Sequence, residues 1–454
     1  MSGADRPAER EPLEVLIAGG GVAAVEALLA LDDLAGARVR VELISPDPEF
    51  VFRPMLVAEP FGLADAKRFG LAGLAAEHGA TYRRDALVGV DPARRVVRTQ
   101  NGEKLGYDAL LIALGAKPVE AVRGALTFSG QRERSAFRDL LWDLPGSRAR
   151  CRLVFTAPAA AKWTIAIYEL ALLTAAHLSA RAVEGVEIAV VTHERQPLGL
   201  FGERAPRILA DMLRDAGIDL RTGSAPIGFE NGLLEVADGD PVAADHVVAL
   251  PALEVPPILG VPQRHNGFIS TDVRMNVEGL TGAWAAGDAT WFPIKQGGLA
   301  AAQADVAAEA IAGEAGASLT PGSFRPVLRG ALLTGALPRY LRSATWDGES
   351  SEAAPTTLWW PPGKLTGRYL APHLAQSGAG APRTRLRDLD VPSGGEAETY
   401  QRDSVQFALA AADADASSYD FAGALEWLEV VEQFNLVVPP AYAERRRTWK
   451  RALA

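Results

Sequence analysis

Residues 14–31 read EVLIAGGGVAAVEALLAL, and this stretch decides the fold. Val15 to Ala18 is a short apolar run of strand character. Three glycines follow, and then an alanine- and leucine-rich segment of helical character. Gly19-Gly20-Gly21-Val22-Ala23-Ala24 spells GxGxxA, a turn that seats a dinucleotide's pyrophosphate at a helix N-terminus. Gly19 permits the tight turn. Gly21 lets the backbone approach a phosphate, and Ala24 lets the helix pack closely on the strand. Free N–H groups and the helix dipole favour negative charge there. The bland alternative is a glycine-rich strand-to-helix turn with no ligand. A second strand follows in VRVELISPD, residues 39–47. The acid expected about 20 residues past the glycines is displaced. Ser45 stands at the strand end as the candidate ribose contact, with Asp47 assisting. Glu42 reads as a solvated strand residue.

The same plan recurs further along. CRLVFTAP at 151–158 is a strand, TIAIYELALLTAA at 164–176 a helix, and VEIAVVTHE at 186–194 a second strand. The predicted fold class is therefore α/β. It has two Rossmann-like dinucleotide-binding domains, a C-terminal cap and a helical tail. Residues 1–12 read as a disordered leader. The first domain is discontinuous, 13–118 and 256–318, and the second spans 119–255. The cap runs over 319–374, a Gly/Ser/Pro-rich linker over 375–397, and the tail over 398–454. In the tail, Ala422 to Phe434 predicts a helix with Leu425, Leu428, Val430 and Val431 to one side. Pro439 and Pro440 break the chain before a basic helix from Tyr442 to Ala454.

Composition narrows the classes. The 454 residues are 48% hydrophobic and 22% charged, with a net charge of −10. This is globular and acidic, which argues against nucleic acid as a partner. No stretch has the 18 or so uninterrupted apolar residues of a membrane span, and a cytoplasmic protein is expected. Cys151 is the single cysteine. It excludes an intramolecular disulfide, a redox cysteine pair and a cysteine zinc cluster within the chain. No metal site is expected; His246, His265 and His373 read as structural.

Two further motifs complete the pattern. YDALLIALGAKP occupies 107–118, and AWAAGDA occupies 283–289, followed by Gly297-Gly298-Leu299. With the first turn, in this order, they resemble the FAD-dependent pyridine nucleotide-disulfide oxidoreductase superfamily over the first 312 residues. Within it the chain looks most like sulfide:quinone oxidoreductases, flavocytochrome c sulfide dehydrogenases and type II NADH dehydrogenases. The resemblance implies FAD as cofactor. It implies that Gly19, Gly21 and Ala24 form the pyrophosphate turn and that Ser45 meets the adenosine end. Arg53 and Pro54 would lie near the flavin, on the loop 45–62. Val88, Ala113 and Gly115 would border the cofactor, and Gly287 and Asp288 would meet its ribityl chain. The helix after Gly298 would aim its N-terminus at the flavin N1–O2 edge, with Lys295 adding positive charge there. Lys295 and Glu169 are the candidate catalytic groups; a bland loop lysine is the alternative for Lys295. Leu114 replaces the usual threonine.

The resemblance breaks at two places. Relatives that use NAD(P)H carry GxGxxGxE in the second domain, whereas this chain has TAPAAAKWTIAIYELA at 156–171. Glu169 aligns with the final glutamate, but the glycines are gone. Side chains at Ala159, Ala161 and Thr164 crowd the phosphate approach, and Pro158 removes a donor. His193 and Glu194 stand where a ribose-binding acid would lie. Second, the sulfide-oxidising relatives depend on paired cysteines. Cys151 reads as a small half-buried strand residue. The aromatics Trp163, Tyr168, Trp291, Phe292, Trp359, Trp360 and Tyr369 together suggest an apolar slot for a planar acceptor such as a quinone.

Three functions follow as expectations. The first is an FAD-dependent oxidoreductase passing electrons from a small-molecule donor to an acceptor such as a quinone. The second is an NAD(P)H dehydrogenase with an atypical nucleotide turn. The third is a scaffold or interaction protein with a structural FAD. The basic end, 444–451, reads first as a solvated helix; peripheral contact with the inner membrane face is the alternative. A homodimer through the 422–434 helix is a further alternative.

Overall fold

The computed structural model describes residues 11–64, 66–129, 131–144, 150–161, 163–264, 266–343, 352–354, 358–359, 364–376, 409, 412–413, 416–417, 421–433 and 438–453. The leader up to residue 10, most of the 375–397 segment, His265 and Trp360 lie outside them.

The chain builds one plan twice. Strands β1 (Leu13–Ala18), β2 (Val39–Ile44), β3 (Thr81–Arg83) and β4 (Ala109–Ile112) belong to the first unit. Strands β5 (Leu126–Thr127), β6 (Cys151–Ala157), β7 (Val186–Thr192), β8 (Ile218–Arg221) and β9 (His246–Ala249) form the second. The chain then returns to add β10 (Ala283–Ala285) to the first sheet. The first sheet has the order β10-β4-β1-β2-β3 and the second β5-β9-β6-β7-β8. All pairings in both are parallel. In each unit a three-stranded antiparallel meander intervenes before the sheet is rejoined, at Leu87–Gly106 and at Pro226–Ala243. Two crossing strands, Lys117–Val119 and Ala252–Glu254, pair antiparallel where the chain passes between units.

Burial explains the strands. Val15, Leu16, Ile17 and Ala18 are all buried, as are all four residues of β4. A parallel sheet covered on both faces favours such continuous apolar runs over alternation. Helix α1 (Val22–Leu34) follows β1, and α2 (Ile165–Ala180) follows β6. Helix α3 (Gly297–Glu314) lies against α1. Their facing sides are rich in buried alanine, including Ala24, Ala27, Ala304 and Ala308, which lets the backbones approach closely. Larger anchors such as Leu28 and Leu31 are fully buried and contribute about 1.5–3 kcal/mol each.

The cap opens with an antiparallel sheet of Leu328–Leu332, Arg339–Ser343 and Glu352–Ala354. A strap, residues 364–370, then leads into α4 (Leu370–Gln376). The tail carries α5 (Phe421–Gln433) and α6 (Pro440–Ala452). The apolar side expected on α5 faces the body: Leu428 and Val431 are buried, with Ala424 and Trp427 beside them. Trp427 packs edge-on against Phe292, and Glu429 pairs with Arg264. Among the described residues no helix is long and apolar enough to cross a membrane.

Candidate functional site: two crevices of unequal openness

In a parallel α/β sheet, ligands gather at the carboxyl ends of the strands where the strand order reverses. The first sheet reverses between β1 and β4, and the second between β6 and β9.

The first crevice has free space at one glycine of its turn. Gly19 has φ +134°, and a Cβ there would lie 2.1 Å from the Ala113 carbonyl oxygen. Its N–H donates to Ile44 O at 2.8 Å, while Ala113 N–H donates to Ala18 O at 2.8 Å. Gly19 and Ala113 thus bring the ends of β1 and β4 together, and only glycine fits. Gly21 differs: a Cβ there would meet nothing within 4 Å. It precedes α1, whose N-terminus has no side-chain cap and no acid in its first turn. The missing side chain leaves a space beside free N–H groups, which suits a pyrophosphate.

The other expected cofactor residues are placed as follows. Ser45 is buried at the end of β2, and its Oγ accepts from Asp47 N–H at 3.2 Å. Glu42 is not a ribose ligand, because its carboxylate takes the Arg83 Nε–H at 2.6 Å. Ala24 is fully buried in α1, and Gly115 turns the chain after β4. Arg53 and Pro54 form a short 3-10 turn with Arg53 exposed. Val88 is 40% exposed on the meander, with its carbonyl accepting from Leu259 N–H. The Gly287–Ala289 turn is held by Gln303, whose Oε1 accepts from Gly287 N–H at 2.8 Å. Asp288 is half-buried and accepts no hydrogen bond from a described residue. Burial holds its carboxyl above the usual range, opposed by the charges of Lys295 and Arg53. A carboxylate without donors beside the glycine turn suits a hydroxyl-rich chain.

The N-terminus of α3 is held by its own neighbours. Gln296 caps it, accepting from Leu299 N–H at 2.8 Å. Leu365 and Thr366 of the strap lie against Gly297 and Gly298. Lys295 turns its ammonium onto the carbonyls of Thr290 and Phe292, and over the Phe268 ring at 3.9 Å.

In the second crevice the acid at the end of β7 is bonded to its own chain. Glu194, just past β7, is the acid at the ribose position. Its carboxylate accepts from the Tyr168 hydroxyl, from Leu198 N–H at 3.0 Å, and from the hydroxyls of Thr164 and Thr192. A carboxylate has about four acceptor positions, so these four donors saturate it. Burial raises its pKa, and those bonds oppose the rise. Tyr168 is fully buried, with its hydroxyl pushed well up by that burial. His193 is buried with Nδ1 3.3 Å from Ala157 O. In the turn itself, Pro158 O accepts from Ala161 N–H at 2.9 Å.

Beside that turn a cavity of about 310 Å³ remains. Ala161, Trp163 and Ala166 form one wall, and Leu250 and Pro251 after β9 a second. Asn266, Phe268, Trp291 and Lys295 come from the first unit, and Ala422 and Gly423 of α5 line it as well. The expected aromatic slot is thereby divided. Trp163 and Trp291 line the cavity, but Tyr168 is spent on Glu194. Phe292 packs on Phe324 and Trp427, and Trp359 on Tyr340. Tyr369 is buried at the start of α4.

Glu169 is fully buried and paired with Lys364 Nζ at 2.6 and 2.7 Å. It also accepts from Leu333 N–H at 2.8 Å. Burial raises its pKa and Lys364 pulls it down. Cys151 is buried at the start of β6, and burial together with Asp245 pushes its thiol up, away from thiolate chemistry.

Sequence reasoning missed three positioning groups. Lys364 lies beyond any motif. Glu26 of α1 is fully buried and accepts from Tyr369 and Leu370 N–H, both at 2.8 Å. Asp305 of α3 shares a hydrogen bond with it. A lone acid inside VAAVEALLAL was the available signal for Glu26.

Residues 13–151 and 167–309 match the family described as pyridine nucleotide-disulphide oxidoreductase. The match passes over 152–166, which holds β6 and the filled turn. An external alternative NAD(P)H-ubiquinone oxidoreductase B4, mitochondrial, from Arabidopsis thaliana, is 22% identical over 288 residues, covering 55% of this chain and 50% of that protein. The chain thus spans about half the length of that curated relative. Among solved structures, the sulfide:quinone oxidoreductase of Aquifex aeolicus aligns with TM-score 0.68 and 20% identity, over 75% of this chain and 86% of that one. The putidaredoxin reductase–putidaredoxin complex aligns with TM-score 0.54 and 19% identity, over 74% and 82%. At these identities the structures share the fold.

Proposed function

Because the chain belongs to the pyridine nucleotide-disulphide oxidoreductase family and is an oxidoreductase, we propose that it holds FAD in its first crevice and passes electron pairs from a donor other than NAD(P)H to a quinone-like acceptor. Bound FAD would supply two-electron transfer at its isoalloxazine. The observation that carries the reading is the contrast between the two turns: Gly21 leaves open space at the α1 N-terminus, whereas Glu194 is saturated by its own chain. Gly19, Gly21 and the α1 amides would bind the pyrophosphate, with Ser45 at the adenosine end. Asp288 would orient the ribityl hydroxyls. Glu169, buried against Lys364, is the group in which a proton could be held where the second unit meets the cap. Lys295 would position the Thr290–Phe292 turn rather than carry charge to the cofactor. The quinone-like acceptor is supported by the names of the Arabidopsis and Aquifex proteins.

A second reading, an NAD(P)H dehydrogenase, draws on the name of the Arabidopsis relative. The filled turn weighs against it. The test begins with the cofactor released by acid and weighed by mass spectrometry, where FAD is expected. Photoreduced protein is then mixed anaerobically with a short-chain quinone. Return of the oxidised flavin band is the expected result; FAD present but inert to quinone would defeat the acceptor half.

A further inference from the structure

The cavity beside the filled turn lies at the carboxyl ends of β6 and β9, where the strand order of the second sheet reverses. That is where such sheets bind ligands. At the end of β7 the acceptor positions of Glu194 are taken by its own chain, which leaves it none for a ribose hydroxyl of a dinucleotide. What survives is the part nearest the first unit. Its volume, about 310 Å³, lies at the small end of the roughly 300–1,000 Å³ usual for ligand pockets. Its indoles and apolar walls suit a flat ring system. Its cation, Lys295, is already bound to two carbonyls and set over a ring, which leaves an anionic group poorly matched.

We infer that this cavity is a binding site for a flat, uncharged, one- or two-ring organic molecule, a remnant of a dinucleotide crevice turned to a non-nucleotide ligand. The inference rests on the donor reading given above and adds the place and the ligand class. The α5 helix belongs to the site. It supplies Ala422 and Gly423 to the wall and is fastened by Trp427 on Phe292 and by Glu429 on Arg264.

The test uses flavin-loaded protein and menadione as the probe. Equilibrium dialysis is expected to show saturable binding. Ala166→Phe and Ala422→Phe fill the cavity from two different helices, and each should weaken binding roughly tenfold or more with flavin content unchanged. Trp163→Phe and Trp291→Phe keep the walls while removing one indole apiece, so each should lose part of the tryptophan quenching that menadione causes. No binding to the native protein overturns the inference. So does unaltered binding in the filled variants, or full quenching in both tryptophan variants. The two claims fail separately, since bleaching of the flavin by NADH strikes the donor reading and leaves the menadione results to decide the cavity.

Discussion

The turn after β1 and the turn after β6 occupy the same place in two copies of one plan, yet they have opposite surfaces. The first ends on Gly21, where a side chain would enter empty space at an uncapped helix N-terminus. The second runs through Pro158, Ala161 and Thr164, and its acid, Glu194, is bonded to Tyr168, Thr164, Thr192 and Leu198. A dinucleotide site needs vacancy as well as topology. The fold supplies two strand-order reversals, and only one keeps its glycines and its donors free.

The most severe way to break this contrast is to fill the open turn. Gly21→Ala should cut flavin retention by roughly tenfold or more, about 1.4 kcal/mol or above, while circular dichroism stays native because an added Cβ meets no protein atom within 4 Å. A variant that unfolds, or that stays fully yellow, would contradict the open-cradle reading. Removing Lys364 comes next. Lys364→Met leaves Glu169 a lone buried charge, with an expected cost of about 3–5 kcal/mol, read in denaturant melts; Glu169→Gln/Lys364→Met should recover much of it. Third, the closed turn can be opened. Tyr168→Phe with Ala159, Ala161 and Thr164 changed to glycine removes two of the four donors on Glu194, leaving Leu198 N–H and Thr192, and clears the phosphate approach. NADH affinity, measured by calorimetry, should rise roughly tenfold, and no gain would refute the steric argument.

The smallest effect concerns the α1–α3 contact below the open turn. Asp305 is held well above its usual pKa by burial and by Glu26. The folded state therefore keeps a proton that the unfolded state loses. That contribution is full below the ordinary carboxylate range and is lost as pH rises through the raised value. Asp305→Asn keeps a donor to Glu26 without titrating, so it should raise the melting temperature at pH above neutrality by about 2 °C or more, and less in acid.

Much of the fold was legible because its signal is local. A strand, a glycine turn and an alanine-rich helix lie within residues 14–31, and the pattern returns from 151. The geometry of the first turn, Gly19 and Gly21 ahead of α1, was legible for the same reason. Groups set by distant partners were not. Glu169 meets Lys364 across 195 positions, and Glu26 meets Tyr369 across 343. The acid at Glu26 stands out in VAAVEALLAL, but the partner of neither acid can be read from nearby sequence. The contacts of Lys295, with its ammonium on the Thr290 and Phe292 carbonyls and over the Phe268 ring, were not announced by any motif. Tyr168 was counted as a slot aromatic, yet the first turn of α2 points it at Glu194.

The contrast between the turns is tested most directly by mixing the flavin-loaded protein with excess NADH, and separately NADPH, under anaerobic stopped-flow. The oxidised flavin band should persist over minutes with either nucleotide. Prompt bleaching by either one would show that the second crevice still takes a nicotinamide dinucleotide, and would contradict the account.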